Sequence, residues 1–387
     1  MVACIVCIRK MNKNNLGKKM KLHIFNPEHD IALAANQQRF TAPHAGRQMR
    51  ADLGFIPALW AEDGDLVLVD DVESALEALR HIGRYAHDVT FVTLAELKAL
   101  HLEDVLKCSI EPWGWDRTIK EQLLCADDSL EGLLPDDIKM RNIRMMSSRR
   151  FASDHLLPKL REMNAGTVGE SCFCTEYSDV ANKMSQYGKS VLKAPWSSSG
   201  RGVRYVQKSC PDEYISGWVR NVIARQGGIM IEPFYTGVYD FGMEFEALPN
   251  GNIRYCGLSL FATRGGAYIG SICATENDKR EILSRYVDLH LLDNVKEHIQ
   301  QILSPLMTGV YDGVFGVDMM AVVNAFGEGF LLHPCVELNL RRTMGHVALA
   351  LTPTEFEPRR LMSIYFADKY RIRVQTTTEN LLNTGLI

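Results

Sequence analysis

Two apolar runs near the C-terminal end constrain this chain more than any other feature. VFGVDMMAVVN (314–324) and FLLHPCVELNL (330–340) are separated only by the turn AFGEG. Their β-branched and aromatic content, with so short a connection, predicts an antiparallel hairpin. Asp318 stands in the first arm, and Glu337 and Asn339 in the second. A carboxylate in an apolar strand is expensive unless something compensates it. Glu337 and Asn339 are two apart, so both side chains leave the same face of their strand. With Asp318 across from them, three oxygen ligands converge. Oxygen donors on a rigid sheet suit Mg²⁺, which keeps waters and borrows phosphate oxygens for its remaining sites.

A second stretch, SVLKAPWSSSGRG (190–202), is a β-rich run that carries Lys193 and empties into three serines and two glycines. Small residues let successive backbone N–H groups approach an anion, and hydroxyls add donors. Lys193, Ser197, Ser198, Ser199, Gly200 and Gly202 are therefore candidates for a polyphosphate. The pattern is neither a Walker A loop nor G-x-G-x-x-G, and a plain serine-rich turn is the competing reading.

At 387 residues the chain predicts two or three domains, and 46% hydrophobic with 23% charged residues is ordinary globular composition. A net charge of -4 argues against a general nucleic-acid binder. No apolar run reaches the roughly 18 residues of a membrane helix. Residues 1–19 place their apolar part before the basic residues and lack a small-residue cleavage site, which argues against export. They read as a loose extension. Ten cysteines occur, including Cys4-x-x-Cys7 and Cys172-x-Cys174, without the second pair that tetrahedral zinc needs. They read as buried, reduced thiols of a cytoplasmic protein.

From Lys21 the chain alternates strand and helix, KLHIF then IALAANQQ, Leu66–Val69 then ESALEALRHI, DVTFVTL then AELKAL. This predicts a small open α/β sheet over 20–146. Glu28 and His29, in the turn after the first strand, either cap a helix with Asp30 or touch a substrate. Trp113 and Trp115 are either packing or a ligand platform. At Ser147 the register changes. SSRRFASDHLLPKLREMN predicts a basic helix, Ser178 and Asp179 a helix cap, VRYVQ the returning strand of a hairpin, and IMIEPFY another strand. The expected unit, 147–235, is an antiparallel sheet with helices on one side. Over 236–387, DFGMEFEALPNGNIRYCGLSLFA predicts a long hairpin, and about 278–307 a long helix before the acidic hairpin.

Together these residues resemble the ATP-grasp superfamily over roughly 147–346. Four motifs stand in that family's order: Lys193 before the serine-glycine loop, the hinge-like Ile229-Met-Ile-Glu232-Pro-Phe-Tyr, Asp240, and the set Asp318, Glu337, Asn339 and Arg341, whose last three form E-x-N-x-R. The resemblance implies a two-subdomain clamp with mainly antiparallel sheets behind a small N-terminal α/β domain. It implies ATP and Mg²⁺ as cofactors. Glu232, Phe234 and Tyr235 would then meet adenine and Asp240 the ribose. Lys193 and Arg341 would act on the phosphates, with Asp318, Glu337 and Asn339 on the metal.

For ligases of this family the reaction joins a small-molecule carboxylate to an amine through an acyl phosphate. A kinase acting on a hydroxyl and a nucleotide-binding scaffold without turnover are the rivals. Homodimers are common in the family. Two departures stand out. Where relatives usually open the middle domain with a lysine, this chain has Ser148-Arg149-Arg150, so either arginine could hold phosphate. Gly316 stands where dipeptide ligases often carry arginine, which argues against a D-alanyl-alanine ligase and leaves Arg264 as a candidate for a substrate carboxylate.

Overall fold

The computed structural model describes residues 20–99, 109–197, 202–207, 212–264 and 267–377. Residues 1–19, with Cys4 and Cys7, and Ser198, Ser199 and Gly200 of the phosphate-loop candidate lie outside them. The chain divides into two compact units, 1–140 with 363–374, and 141–362 with 375–387. The division falls a few residues before the expected boundary at 146. The hairpin β14 and β15 described below also runs largely back into the first unit.

In the first unit, β1 (Lys21–Ile24), β2 (Leu66–Leu68), β3 (Thr90–Val92) and β4 (Ser109–Pro112) form a parallel sheet in the order β3-β2-β1-β4. Parallel neighbours need crossover connections, and the intervening helices supply them. Leu22, Ile24, Leu66, Leu68 and Val92 are buried with Leu123 of the helix Arg117–Ala126. The sequence reading missed β4. Trp113, just beyond it, is packing, edge-on to Phe25 with ring centroids 5.0 Å apart.

The second unit contains two sheets. β5 (Cys172–Cys174), β6 (Ser190–Lys193), β7 (Val203–Val206) and β8 (Ile229–Pro233) pair antiparallel in the order β5-β8-β6-β7. The helices Tyr177–Tyr187 and Glu213–Gln226 cover them through Val180, Met184, Val219 and Val222. The larger sheet contains β9 (Gly237–Ala247), β10 (Ile253–Arg264), β11 (Ala267–Cys273), β12 (Gly313–Val323) and β13 (Phe330–Asn339), ordered β13-β12-β9-β10-β11. β14 (Arg360–Phe366) and β15 (Tyr370–Thr376) end the described chain.

One face of the larger sheet is aromatic. Phe241, Phe245 and Phe315 are fully buried there, and Phe245 stacks on Phe315 at 5.3 Å. The helix Leu289–Met307 packs against β9 and β10.

Two expected long helices are each broken into a pair. Arg149–His155 and Leu157–Met163 meet at Leu156, because Pro158 has no N–H to continue the first. Glu276–Leu283 and Leu289–Met307 part where the Asp288 carboxylate caps the N–H groups of His290 and Leu291. Ser178 and Asp179 do not cap their helix. It starts at Tyr177, and Glu176 at the cap position makes no side-chain bond. No helix among the described residues is long and apolar enough to cross a membrane.

Phe245→Ala should lower unfolding free energy by about 3–5 kcal/mol, since it empties an aromatic site that cannot collapse. Chemical denaturation followed by fluorescence measures the change.

Candidate active site

The cleft face of the larger sheet is laid out by its register. On β9, Asp240, Gly242 and Glu244 share the face opposite Phe241 and Phe245. Gly242 pairs with Asp318 of β12, and Glu244 with Gly316. Each acid thus has a glycine beside it on the next strand. A Cβ on Gly316 would lie 2.6 Å from Glu244 Oε2, and one on Gly242 3.3 Å from Asp318 Oδ1. Glycine is required at these places for lack of volume, with no demand on φ. On the other side of β12, Asp318 pairs directly with Glu337 of β13, and Gly316 with Asn339. The hairpin expected from sequence is present.

Asn339 Nδ2 donates to Asp318 Oδ2 at 2.8 Å, and Arg341 donates to Asn339 Oδ1 at 3.1 Å. Asp318 is pushed up to about 8, by burial first and then by the charges of Glu337 and Glu244. Acids crowded together in a buried place shift in this direction.

Facing these acids are cations from the smaller sheet and its preceding helix. Lys193, the last residue of β6, is buried, with Nζ 2.6 Å from Glu232 Oε2 and 3.5 Å from the Val336 carbonyl of β13. The other carboxylate oxygen of Glu232 accepts from Ser171 at 3.1 Å. Glu232 therefore has one carboxylate oxygen on Lys193 and the other on Ser171.

Arg149 is the most connected group in the cleft. It reaches Glu337 Oε1 at 2.7 Å and donates at 2.7 Å to both the Ala194 carbonyl and the Ser197 hydroxyl. Its neighbour Arg150 is elsewhere, bonded to Asp154 at 3.1 Å and stacked over Phe173. Successive residues of a helix point about 100° apart, so only one of the pair can face the cleft. The candidate pair resolves into Arg149 alone.

The loop that begins at Ala194 is pinned at its root. Gln226 bonds both backbone groups of Trp196, whose indole N–H donates to the Arg144 carbonyl. Ala194 N–H donates to the Gly202 carbonyl at 2.8 Å, closing the loop's base. Phe234 gives its N–H to the Lys189 carbonyl. Half-buried Tyr235 meets His333 edge-on at 5.5 Å. Asp240 accepts from Thr263 at 3.2 Å, and Arg264 is exposed at the end of β10.

Glu28 and His29 belong to the first unit. His29 is buried 3.3 Å from Asp116, and a Cβ on Gly114 would strike its ring. Asp116 also caps the helix Arg117–Ala126, so His29 ties two turns of the sheet together. Glu28 is paired with Arg50 at 3.0 Å. Both residues are engaged within the protein.

Glu244 was missed by sequence reading. It is 1% exposed and accepts from Ser259 and Thr343, each at 2.8 Å, with His346 Nδ1 3.0 Å from Oε2. His346 Nδ1 also receives the Thr343 N–H, and Nε2 faces the Phe245 carbonyl. These partners assign the proton to Nε2. Burial pushes Glu244 up to about 7 and His346 down to about 3. The signal was available, since Glu244 lies two residues beyond Gly242 on the same strand face.

No family model and no curated protein matches this chain. Among solved structures it is similar to N5-carboxyaminoimidazole synthetase from Staphylococcus aureus complexed with ADP, at 12% identity and a TM-score of 0.45 over 90% of this chain and 84% of that one. It is also similar to biotin carboxylase from Campylobacter jejuni in a β,γ-ATP complex, at 13% identity and a TM-score of 0.48, over 89% and 75% of the two chains. A third is a putative ATP-grasp superfamily protein from Archaeoglobus fulgidus, at 12% identity and a TM-score of 0.39 over 92% and 99%. At these values the likenesses are loose.

The acids predict a pH dependence. Asp318 and Glu244 hold protons in the folded state that the unfolded chain loses at about pH 4, so their contribution is full below about pH 4 and is lost progressively until pH has passed about 7 to 8. Buried, neutral His333 and His346 act oppositely below about pH 6.5, where the unfolded chain takes up protons they refuse. Melting temperature without ligand should therefore be nearly level between about pH 4 and 6.5, where the two pairs offset each other, and fall from there toward pH 8, and Asp318→Asn should flatten that fall.

Proposed function

We propose that this chain is an ATP- and Mg²⁺-dependent ligase of the ATP-grasp kind, joining a small-molecule carboxylate to an amine. One observation carries the reading. The register-paired acids Asp318 and Glu337 stand beside buried Arg149, bonded to Glu337, and Lys193, whose Nζ lies 3.5 Å from the Val336 carbonyl on the same strand as Glu337. An arrangement with acids beside cations is what a metal–polyphosphate requires.

The residues present fit a divalent cation. Asp318 and Glu337 offer adjacent carboxylates, and Asn339 can turn its amide oxygen toward the same point. Bound there, Mg²⁺ would neutralise phosphate charge. Lys193, Arg149 and Arg341 then hold the phosphate oxygens, and the Ser197 hydroxyl, already bonded to Arg149, stands beside them. A substrate carboxylate oxygen attacks the γ-phosphorus as ADP leaves. The amine attacks the resulting acyl phosphate, phosphate departs, the amine proton goes to solvent, and an amide remains. Phosphate is a good leaving group, so positioning and charge do most of the work.

Without nucleotide the clamp is paired with itself. Arg149 occupies Glu337, so the metal and the arginine compete for one carboxylate until phosphate draws the arginine away. Metal and nucleotide should therefore bind together. Arg149→Met should strengthen binding of Mn²⁺ alone by roughly tenfold, about the worth of one charge-assisted hydrogen bond, while weakening Mn²⁺·ATP. Isothermal titration measures both.

Glu337→Ala should abolish the thermal stabilisation that Mg²⁺·ATP confers, and an unchanged shift would remove the metal assignment. The direct test supplies ATP with pools of amino acids, small peptides and carboxylic acids. Ligation yields ADP, free phosphate and an amide mass. A phosphoester without free phosphate would make the chain a kinase, and no turnover with retained binding a scaffold.

A further inference from the structure

Beneath the acids and cations already described lies a buried group that touches neither nucleotide nor metal in the proposed reaction. Glu244 is enclosed by the larger sheet and by the helix Met344–Ala350, which packs on β9 and β10. Space has been cleared for it on two sides, since a Cβ on Gly316 or on Gly345 would collide with its carboxylate. An acid this buried, with glycines at both approaches, is costly to install and has no packing advantage over leucine.

What the carboxylate holds is the start of that helix. Thr343 is its N-cap, and with His346 it forms a reciprocal capping box. Thr343 Oγ1 donates to Glu244 Oε2 at 2.8 Å, and His346 Nδ1 lies 3.0 Å from the same oxygen. Only Leu340, Arg341 and Arg342 separate Thr343 from Asn339, the last residue of β13. Asn339 is bonded to Asp318 at the near end of this run, and Arg341 folds back on it through its backbone N–H to the Asn339 carbonyl, at 2.8 Å. Three residues fixed at both ends have little freedom, and Arg341 is the middle one.

We propose that Glu244 is a positioning residue for the Asn339–Arg341 segment, acting through Thr343 to hold the far end of the run that carries a metal ligand and a phosphate-binding arginine. The inference rests on the nucleotide and metal reading of this site. It distinguishes Glu244 from an acid that merely caps a helix, whose loss would lower stability and leave the affinity of the folded protein unchanged. Outer groups that orient metal ligands typically cost 10- to 100-fold in affinity when removed.

The test is Mn²⁺·ADP affinity of the full chain by isothermal titration and Mn²⁺ paramagnetic resonance, well below each variant's melting temperature, with circular dichroism reporting the fold. Glu244→Leu should bind roughly 10- to 100-fold more weakly than wild type, and Glu244→Gln, which keeps the shape and can still accept from Thr343, should recover most of that loss. Thr343→Val should reproduce the defect and Thr343→Ser should not. If Glu244→Leu does not fold, the threonine pair decides. Folded Glu244→Leu or Thr343→Val with wild-type affinity would overturn the inference and leave the nucleotide reading intact. Failure of the wild type to bind Mn²⁺·ADP would overturn both.

Discussion

Two carboxylates facing each other across neighbouring strands repel, and much of the second unit is arranged to make the Asp318–Glu337 pair tolerable. Like charges opposed in a sheet are destabilising, and burial makes it worse. Three compensations are visible. Asp318 is raised far enough to retain its proton over much of the neutral range. Asn339 turns its amide donor toward it. Glu337 is neutralised by Arg149, delivered from the start of the helix Arg149–His155. A divalent ion with a polyphosphate would replace all three at once.

The same logic explains why the cations are paired so closely. A buried ammonium or guanidinium without a partner costs several kcal/mol. Lys193 and Arg149 are both buried, so each needs an acid beside it. Glu232 serves the lysine and Glu337 the arginine. Glu232, which on resemblance would meet a base, is here paired with Lys193. The difference comes from strand register. On antiparallel β6 and β8, Lys193 lies opposite Met230 and Val191 opposite Glu232, which makes Lys193 and Glu232 diagonal neighbours on one face.

Much of the fold was legible in the sequence because its elements are strongly patterned. The hairpins β6–β7, β9–β10 and β12–β13 follow from apolar alternation and turn residues, and the parallel sheet from strand–helix alternation. The misreadings are local. Pro158 and the Asp288 cap broke helices whose periodicity ran straight through them, and β4 is only four residues long. Neither a break nor a short strand disturbs a hydrophobic period enough to be seen. Residue types and spacing singled out Asp318, Glu337, Asn339 and Lys193 as candidates. They could not choose between Arg149 and Arg150, and they passed over Glu244.

The sequence by itself determined which chemistry the chain carries: acids spaced two apart on strand arms, a lysine at a strand end, small residues after it. Those are properties of period and composition, and they survive any arrangement of the parts. Tertiary structure alone decided who meets whom. Helix phase turned Arg149 inward and Arg150 out. Register set Glu337 against Asp318 and left glycines beside Asp318 and Glu244. Closure of one helix onto a sheet brought Thr343 to Glu244, residues distant in sequence. A pairing across that distance depends on register, crossing and burial together, and no local pattern encodes their sum.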